Sequence, residues 1–107
     1  MQESVEKVHV EEALVDYMLA IVEKTRTHDS LTLGVSPRGA QALFRAAQAL
    51  AAVEGRDFAI PDDVKRMVVP VCAHRVTLHS RASIAAQSSE VAERILKEIL
   101  TFVDVPL

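Results

Sequence analysis

Leu14, Tyr17, Met18, Ile21 and Val22 recur at i, i+3, i+4, i+7 and i+8, the period of a helix with one apolar face. A helix with such a stripe needs another apolar surface to cover it, so a bundle becomes the frame for reading the rest. This first helix is expected over residues 8 to about 27. His28-Asp29-Ser30 then breaks the period, and Leu31-Thr32-Leu33 is expected to pair briefly as a strand before Gly34 turns the chain. A loop with little sheet is therefore expected there.

Ser36 followed by Pro37 reads as an N-cap and first helical residue. The hydroxyl accepts a backbone N–H that the helix cannot pair, and proline has none to lose. The second helix carries Ala40, Leu43, Phe44, Ala47, Leu50 and Ala51 on one face and runs to Glu54, with Gly55 suited to the left-handed conformation that closes a helix. Its many alanines imply close approach of a neighbour. Ile60-Pro61-Asp62-Asp63 opens the third helix, whose two acids suit the positive end of the helix dipole. Val64, Met67, Val68, Val71 and Cys72 are expected inward, with a kink or break near Val69 caused by Pro70 and a second piece reaching Arg75. A polar link over 79–87 leads to Ser88-Ser89-Glu90 and a last helix with Val91, Ile95, Ile99 and Phe102 aligned. Residues 1–107 thus read as one all-α domain, a small bundle of four helices, or five if Pro70 divides the third.

Composition narrows the function. Half of the 107 residues are apolar, enough for one core but not for two ordinary domains, and a net charge of −3 argues against bulk nucleic-acid binding. One cysteine forms no intrachain disulfide and no cysteine-based zinc site, which fits a reducing, cytoplasmic setting. The apolar runs fall far short of the roughly 20 residues that span a bilayer. Three glycines and few aromatics leave little material for a large stacking pocket, so an autonomous enzyme is not expected.

Among candidate sites, Gly34-Val35-Ser36-Pro37-Arg38-Gly39 has the glycine spacing of a phosphate-binding loop, yet Ala40 and Gln41 stand where lysine and serine or threonine are required. That reading is rejected. Arg38 is more informative, because it falls in the first turn of the second helix, where the dipole opposes a cation and favours an anion. A guanidinium beside free helix N–H groups suits a phosphoryl oxygen, and the plain alternative is a solvated arginine. His9, His28, His74 and His79 lack the helical pairing of a zinc hydrolase, and no metal site is expected. His74-Arg75 suits the negative end of the third helix. Asp62 and Asp63 diverge by about 100° around a helix and read as capping residues, not an acid/base pair. Cys72, among apolar neighbours, reads as inert.

Leu33-Gly34-Val35-Ser36-Pro37-Arg38, Glu54-Gly55-Arg56-Asp57-Phe58, Pro61-Asp62-Asp63-Val64 and His74-Arg75 together resemble, in order and spacing, the C-terminal lid domain of the MoxR family of AAA+ ATPases. Tyr17 and Thr25-Arg26 fit the same pattern. The resemblance implies that Arg38 is the sensor 2 arginine, reaching toward the γ-phosphate of ATP, with Ser36 and Pro37 positioning it. It implies further that ATP and Mg²⁺ are held by an ATPase core, carrying the Walker motifs, that should precede Met1. On this reading the chain alone is not an enzyme, although its parent hydrolyses ATP. The implied partners are that core, neighbouring subunits of a ring expected to be hexameric, and a von Willebrand factor A domain protein, with chaperone-like maturation of client proteins as the task. No nucleic acid or membrane is implied. Ile60, where the family usually has a capping threonine, and Gly39, where alanine is common, depart from the pattern. The alternatives are a stand-alone helical interaction adaptor and a histone-fold-like binding module, the latter suggested by Gly55-Arg56-Asp57-Phe58-Ala59-Ile60 before Asp62-Asp63-Val64.

Overall fold

A computed structural model describes residues 7–78 and 88–106. Its elements run α1 (Glu12–Thr27), β1 (Leu31–Leu33), α2 (Pro37–Val53), α3 (Pro61–Cys72), β2 (Thr77–Leu78) and α4 (Ser88–Phe102). Among the described residues the expected all-α bundle forms with four helices, joined by one short antiparallel ribbon that pairs Leu31 with Leu78 and Leu33 with Thr77. The link expected over 79–87, including His79, lies outside the described residues.

The whole predicted stripe of α1 is buried: Leu14, Tyr17, Met18, Ile21 and Val22 join one continuous core with Leu43, Ala47 and Ala51 of α2 and Val64, Val68 and Cys72 of α3. Small side chains on α2 and β-branched ones on α3 let these two helices make the most extensive packing among the described elements. From α4 the core takes Ala92, Ile95, Leu96 and Ile99, whereas Phe102 is 68% exposed. The expected face thus holds at Val91, Ile95 and Ile99 and fails only at Phe102, in whose place the stretch just after the helix returns Val103 to the core.

Two boundaries also differ from expectation. Residues 8–11 are extended, not helical, because the His9 N–H donates to the Asp57 carbonyl at 2.8 Å and the Ala59 N–H to the His9 carbonyl at 2.9 Å. Gln48, buried on α2, donates to the Val8 carbonyl at 3.0 Å and completes the tether. In α3 the helix passes through Pro70 without a break and stops at Cys72, and the anticipated second piece is a turn in which the Arg75 N–H donates to the Cys72 carbonyl at 2.9 Å. Pro70 lies in the last turn and is exposed, and its missing donor does not divide the helix.

Candidate functional site

The start of α2 is built by a chain of local contacts from the end of α1. Thr25 is fully buried, and its hydroxyl donates to the Val22 carbonyl one turn back while accepting the Val35 N–H at 2.9 Å. The next residue, Arg26, donates from Nε to the Val35 carbonyl at 3.0 Å. Both backbone groups of Val35 are thus held by neighbouring residues of one helix. Gly34 lies so close to that helix end that a Cβ would stand 2.6 Å from the Arg26 nitrogen and the Thr25 carbonyl carbon. Its φ is not positive, so Gly34 serves close backbone approach and not the left-handed turn that its type suggests.

From this anchored loop, Ser36 takes extended backbone angles and its Oγ accepts the Gly39 N–H at 3.2 Å, with Pro37 opening the helix. Arg38 then projects from the first turn, exposed, and that turn contains no acidic residue. Among the described residues no carboxylate pairs with it. Gly39 is buried, and a Cβ there would meet Val35 Cγ1 at 2.7 Å and Arg75 Cδ at 3.0 Å. The sequence departure at Gly39 is therefore a steric fit, and it reveals what spacing did not: Arg75 crosses from the turn after α3 to the start of α2. Two cationic side chains from distant elements meet the positive end of one helix dipole, an arrangement that favours an anionic ligand. Beside it, Leu19, Val22, Pro37, Ala40 and Phe44 line an apolar groove of about 570 Å³ between α1 and α2.

The start of α3 is closed by contrast. Asp63 is buried and accepts from Arg56 Nη1 at 2.7 Å, from Nη2 at 2.6 Å and from the Ile60 N–H at 2.8 Å. Arg56 also donates to the Phe58 carbonyl at 3.1 Å and lies 6.0 Å from the centre of the Phe58 ring. Burial alone would raise the Asp63 carboxyl, but the Arg56 guanidinium and the Ile60 amide outweigh it and hold the group below the usual carboxylate range. Asp63 is thus the expected capping residue, and it compensates for the missing threonine at Ile60. Its clasp by Arg56 was not expected.

The other candidates play no part here. Burial pushes the Cys72 thiol up to about 11, against the pull of the Arg75 charge, which leaves it protonated at neutral pH. His9 lies 3.0 Å from Glu11, His28 accepts the Ser30 N–H at 3.1 Å, and His74 is exposed. Among the described residues no three His, Cys, Asp or Glu side chains are grouped to hold a metal ion, and no helix is long and apolar enough to cross a membrane.

Comparison with known proteins gives a consistent result. A family model described as the AAA lid domain matches residues 23–99. The Bacillus subtilis protein YeaC, itself named as uncharacterised, is 41% identical over 107 residues, which is 100% of this chain and 32% of that protein. The Mycobacterium tuberculosis protein named Chaperone MoxR1 is 33% identical over 115 residues, covering 99% of this chain and 30% of its own. A crystal structure from Cytophaga hutchinsonii, described as that of a "putative ATPase", superposes with a TM-score of 0.88 at 27% identity, over 99% of this chain and 34% of that one. The chain spans about a third of the length of the curated relatives that it matches over its whole extent.

Proposed function

Because the chain belongs to the AAA lid domain family, as the lid of a MoxR-family AAA+ ATPase, we propose that it closes over nucleotide held by an ATPase core and that Arg38 is its sensor 2 arginine. The observation that carries this reading is the start of α2, where Arg38 is exposed, has no acidic neighbour in its turn and sits where a helix favours an anion. A guanidinium there donates to phosphoryl oxygens and offsets the charge that develops as the phosphoryl group transfers. Ser36 and Pro37 set the direction of the turn, and the apolar groove beside it offers a surface for the core to cover. Bound ATP and Mg²⁺ supply the reacting phosphate and its charge neutralisation. The metal belongs to the core on this reading, since the turn contains no carboxylate to hold it.

The relative named as a chaperone supports extending the role to chaperone-like maturation of client proteins by a ring of subunits, expected to be hexameric. Lid movement would couple nucleotide state to neighbouring subunits and to a partner with a von Willebrand factor A domain, in the cytoplasm. The family match favours this reading over a free-standing adaptor or a histone-fold module.

The test is Arg38→Ala in the complete ATPase. Turnover should fall at least tenfold, a loss of about 1.4 kcal/mol in transition-state stabilisation, while the lid stays folded by circular dichroism. Unchanged turnover removes Arg38 from the mechanism.

A further inference from the structure

We propose that Thr25 and Arg26 form a latch on Val35 that positions Arg38, so that the end of α1 sets the aim of the phosphate-contacting arginine although neither residue touches nucleotide. The inference rests on the reading of Arg38 given above. Its basis is that Val35 immediately precedes the N-cap Ser36, which makes the backbone of Val35 the last fixed point before the turn that bears Arg38. Thr25 holds its N–H from a fully buried position, and Arg26 holds its carbonyl through Nε. Gly34 presses on the same two residues from the preceding side, with no room for a Cβ.

Neither hydrogen bond follows from helix stability alone. A hydroxyl at Thr25 satisfied only by the Val22 carbonyl would suit the interior of α1 equally well, yet it also accepts from a loop ten residues away. The Arg26 side chain is about half exposed and lies 3.9 Å from Glu23, but its Nε turns back to the chain and not to solvent. With both groups of Val35 bound, the peptide planes before Ser36 cannot rotate without breaking a bond, and the direction of the first turn of α2 is fixed relative to α1. A clamp of this kind is how a loop holds one side chain at the tolerance that phosphoryl transfer requires.

Steady-state ATP hydrolysis by the complete ATPase carrying Thr25→Val, Thr25→Ser and Arg26→Met, each in the presence of Arg38 and in an Arg38→Ala background, separates the outcomes. Thr25→Val keeps the shape and removes the hydroxyl, and it is expected to lower kcat about fivefold when Arg38 is present. Thr25→Ser, which restores the hydroxyl, should return kcat to within twofold of the parent. Arg26→Met alters an exposed side chain, so it remains informative if Thr25→Val does not fold, and it should lower kcat about threefold. In the Arg38→Ala background all three should change kcat less than twofold, because a residue that acts by aiming Arg38 has nothing left to aim. Loss of similar size in both backgrounds, or no loss when Arg38 is present, overturns the latch while leaving Arg38 in its role. If Arg38→Ala alone leaves turnover intact, the reading of Arg38 fails first and the latch falls with it.

Discussion

Two helices of this domain begin in the same way and end up with opposite chemistry. Both α2 and α3 start with an extended N-cap followed by proline, and each uses one half of the reciprocal capping arrangement. In α2 the cap residue Ser36 accepts from the third residue, Gly39, whereas in α3 the third residue, Asp63, accepts from the cap residue Ile60. The second helical position holds Arg38 in one and Asp62 in the other. In α3 the positive end of the dipole is met within the chain, by a buried carboxylate that an arginine clasps. In α2 it is met by an arginine of the first turn and crossed by Arg75, with no carboxylate in the turn. A folded chain gains nothing locally from that second arrangement. On the proposed reading of Arg38, the difference separates a helix start that holds the fold together from one that is open to a ligand supplied from elsewhere.

The largest expected effect lies at the closed end. Asp63→Ala removes the acceptor of three hydrogen bonds and strands part of the Arg56 guanidinium, and it should cost about 2 kcal/mol, read as a fall of roughly 10 °C in the thermal midpoint. The figure is set below that for a fully buried pair because Arg56 keeps some access to water. The same substitution should leave ATP turnover per folded molecule unchanged. A loss of turnover without a loss of stability would break the comparison, since it would place Asp63 in the chemistry.

Acid should find the same clasp. The carboxyl of Asp63 titrates below its ordinary value when folded, so its stabilisation is complete above the unfolded value of about 3.9 and fades as pH falls through the lower folded value. Chemical denaturation followed from pH 6 down to pH 2 should show stability declining from about pH 4 downward. In Asp63→Asn the decline should be shallower, by the share that this carboxylate contributes. An identical slope in both proteins would assign acid sensitivity to other carboxylates and weaken the case that the start of α3 is the structural one.

Both helix starts were legible in the sequence because capping is local chemistry. Ser36-Pro37, Pro61-Asp62-Asp63 and Gly55, whose φ of 81° is the left-handed turn expected of it, are read from three or four neighbouring residues. What was not legible depends on residues brought together by packing. Arg75 over Gly39, Arg56 on Asp63, and Thr25 with Arg26 on Val35 each join side chains whose partners are chosen only once the helices pack. The only advance signals were the glycine at position 39, with no turn to explain it, and a family pattern that included Thr25-Arg26 without a reason. Residues 8–11 mislead for the same cause: their period continues that of α1, but the connector at 57–59 offers a strand-like partner that local sequence does not display. Phe102 fits the helical period of α4 as well as Val103 fits the core, and only the bundle decides between them.

The smallest effect is the most discriminating, because it has the opposite sign to the others. If Arg38 is placed for a ligand and not for the fold, it works against its own helix, and Arg38→Ala in the 107-residue chain should raise stability by roughly 0.3–1 kcal/mol at low ionic strength. Arg38→Glu should raise it further, since a carboxylate near the N-terminus is favoured where the guanidinium is not. The gain should shrink as salt is raised toward 1 M, where the Debye length of about 3 Å screens the dipole from an exposed charge. Thermal denaturation at two salt concentrations reads all three quantities. A variant stabilised as a free domain and slowed as part of the complete ATPase is the signature of a residue retained for its ligand. A variant destabilised in both settings makes Arg38 a structural residue like Asp63 and erases the distinction between the two helix starts.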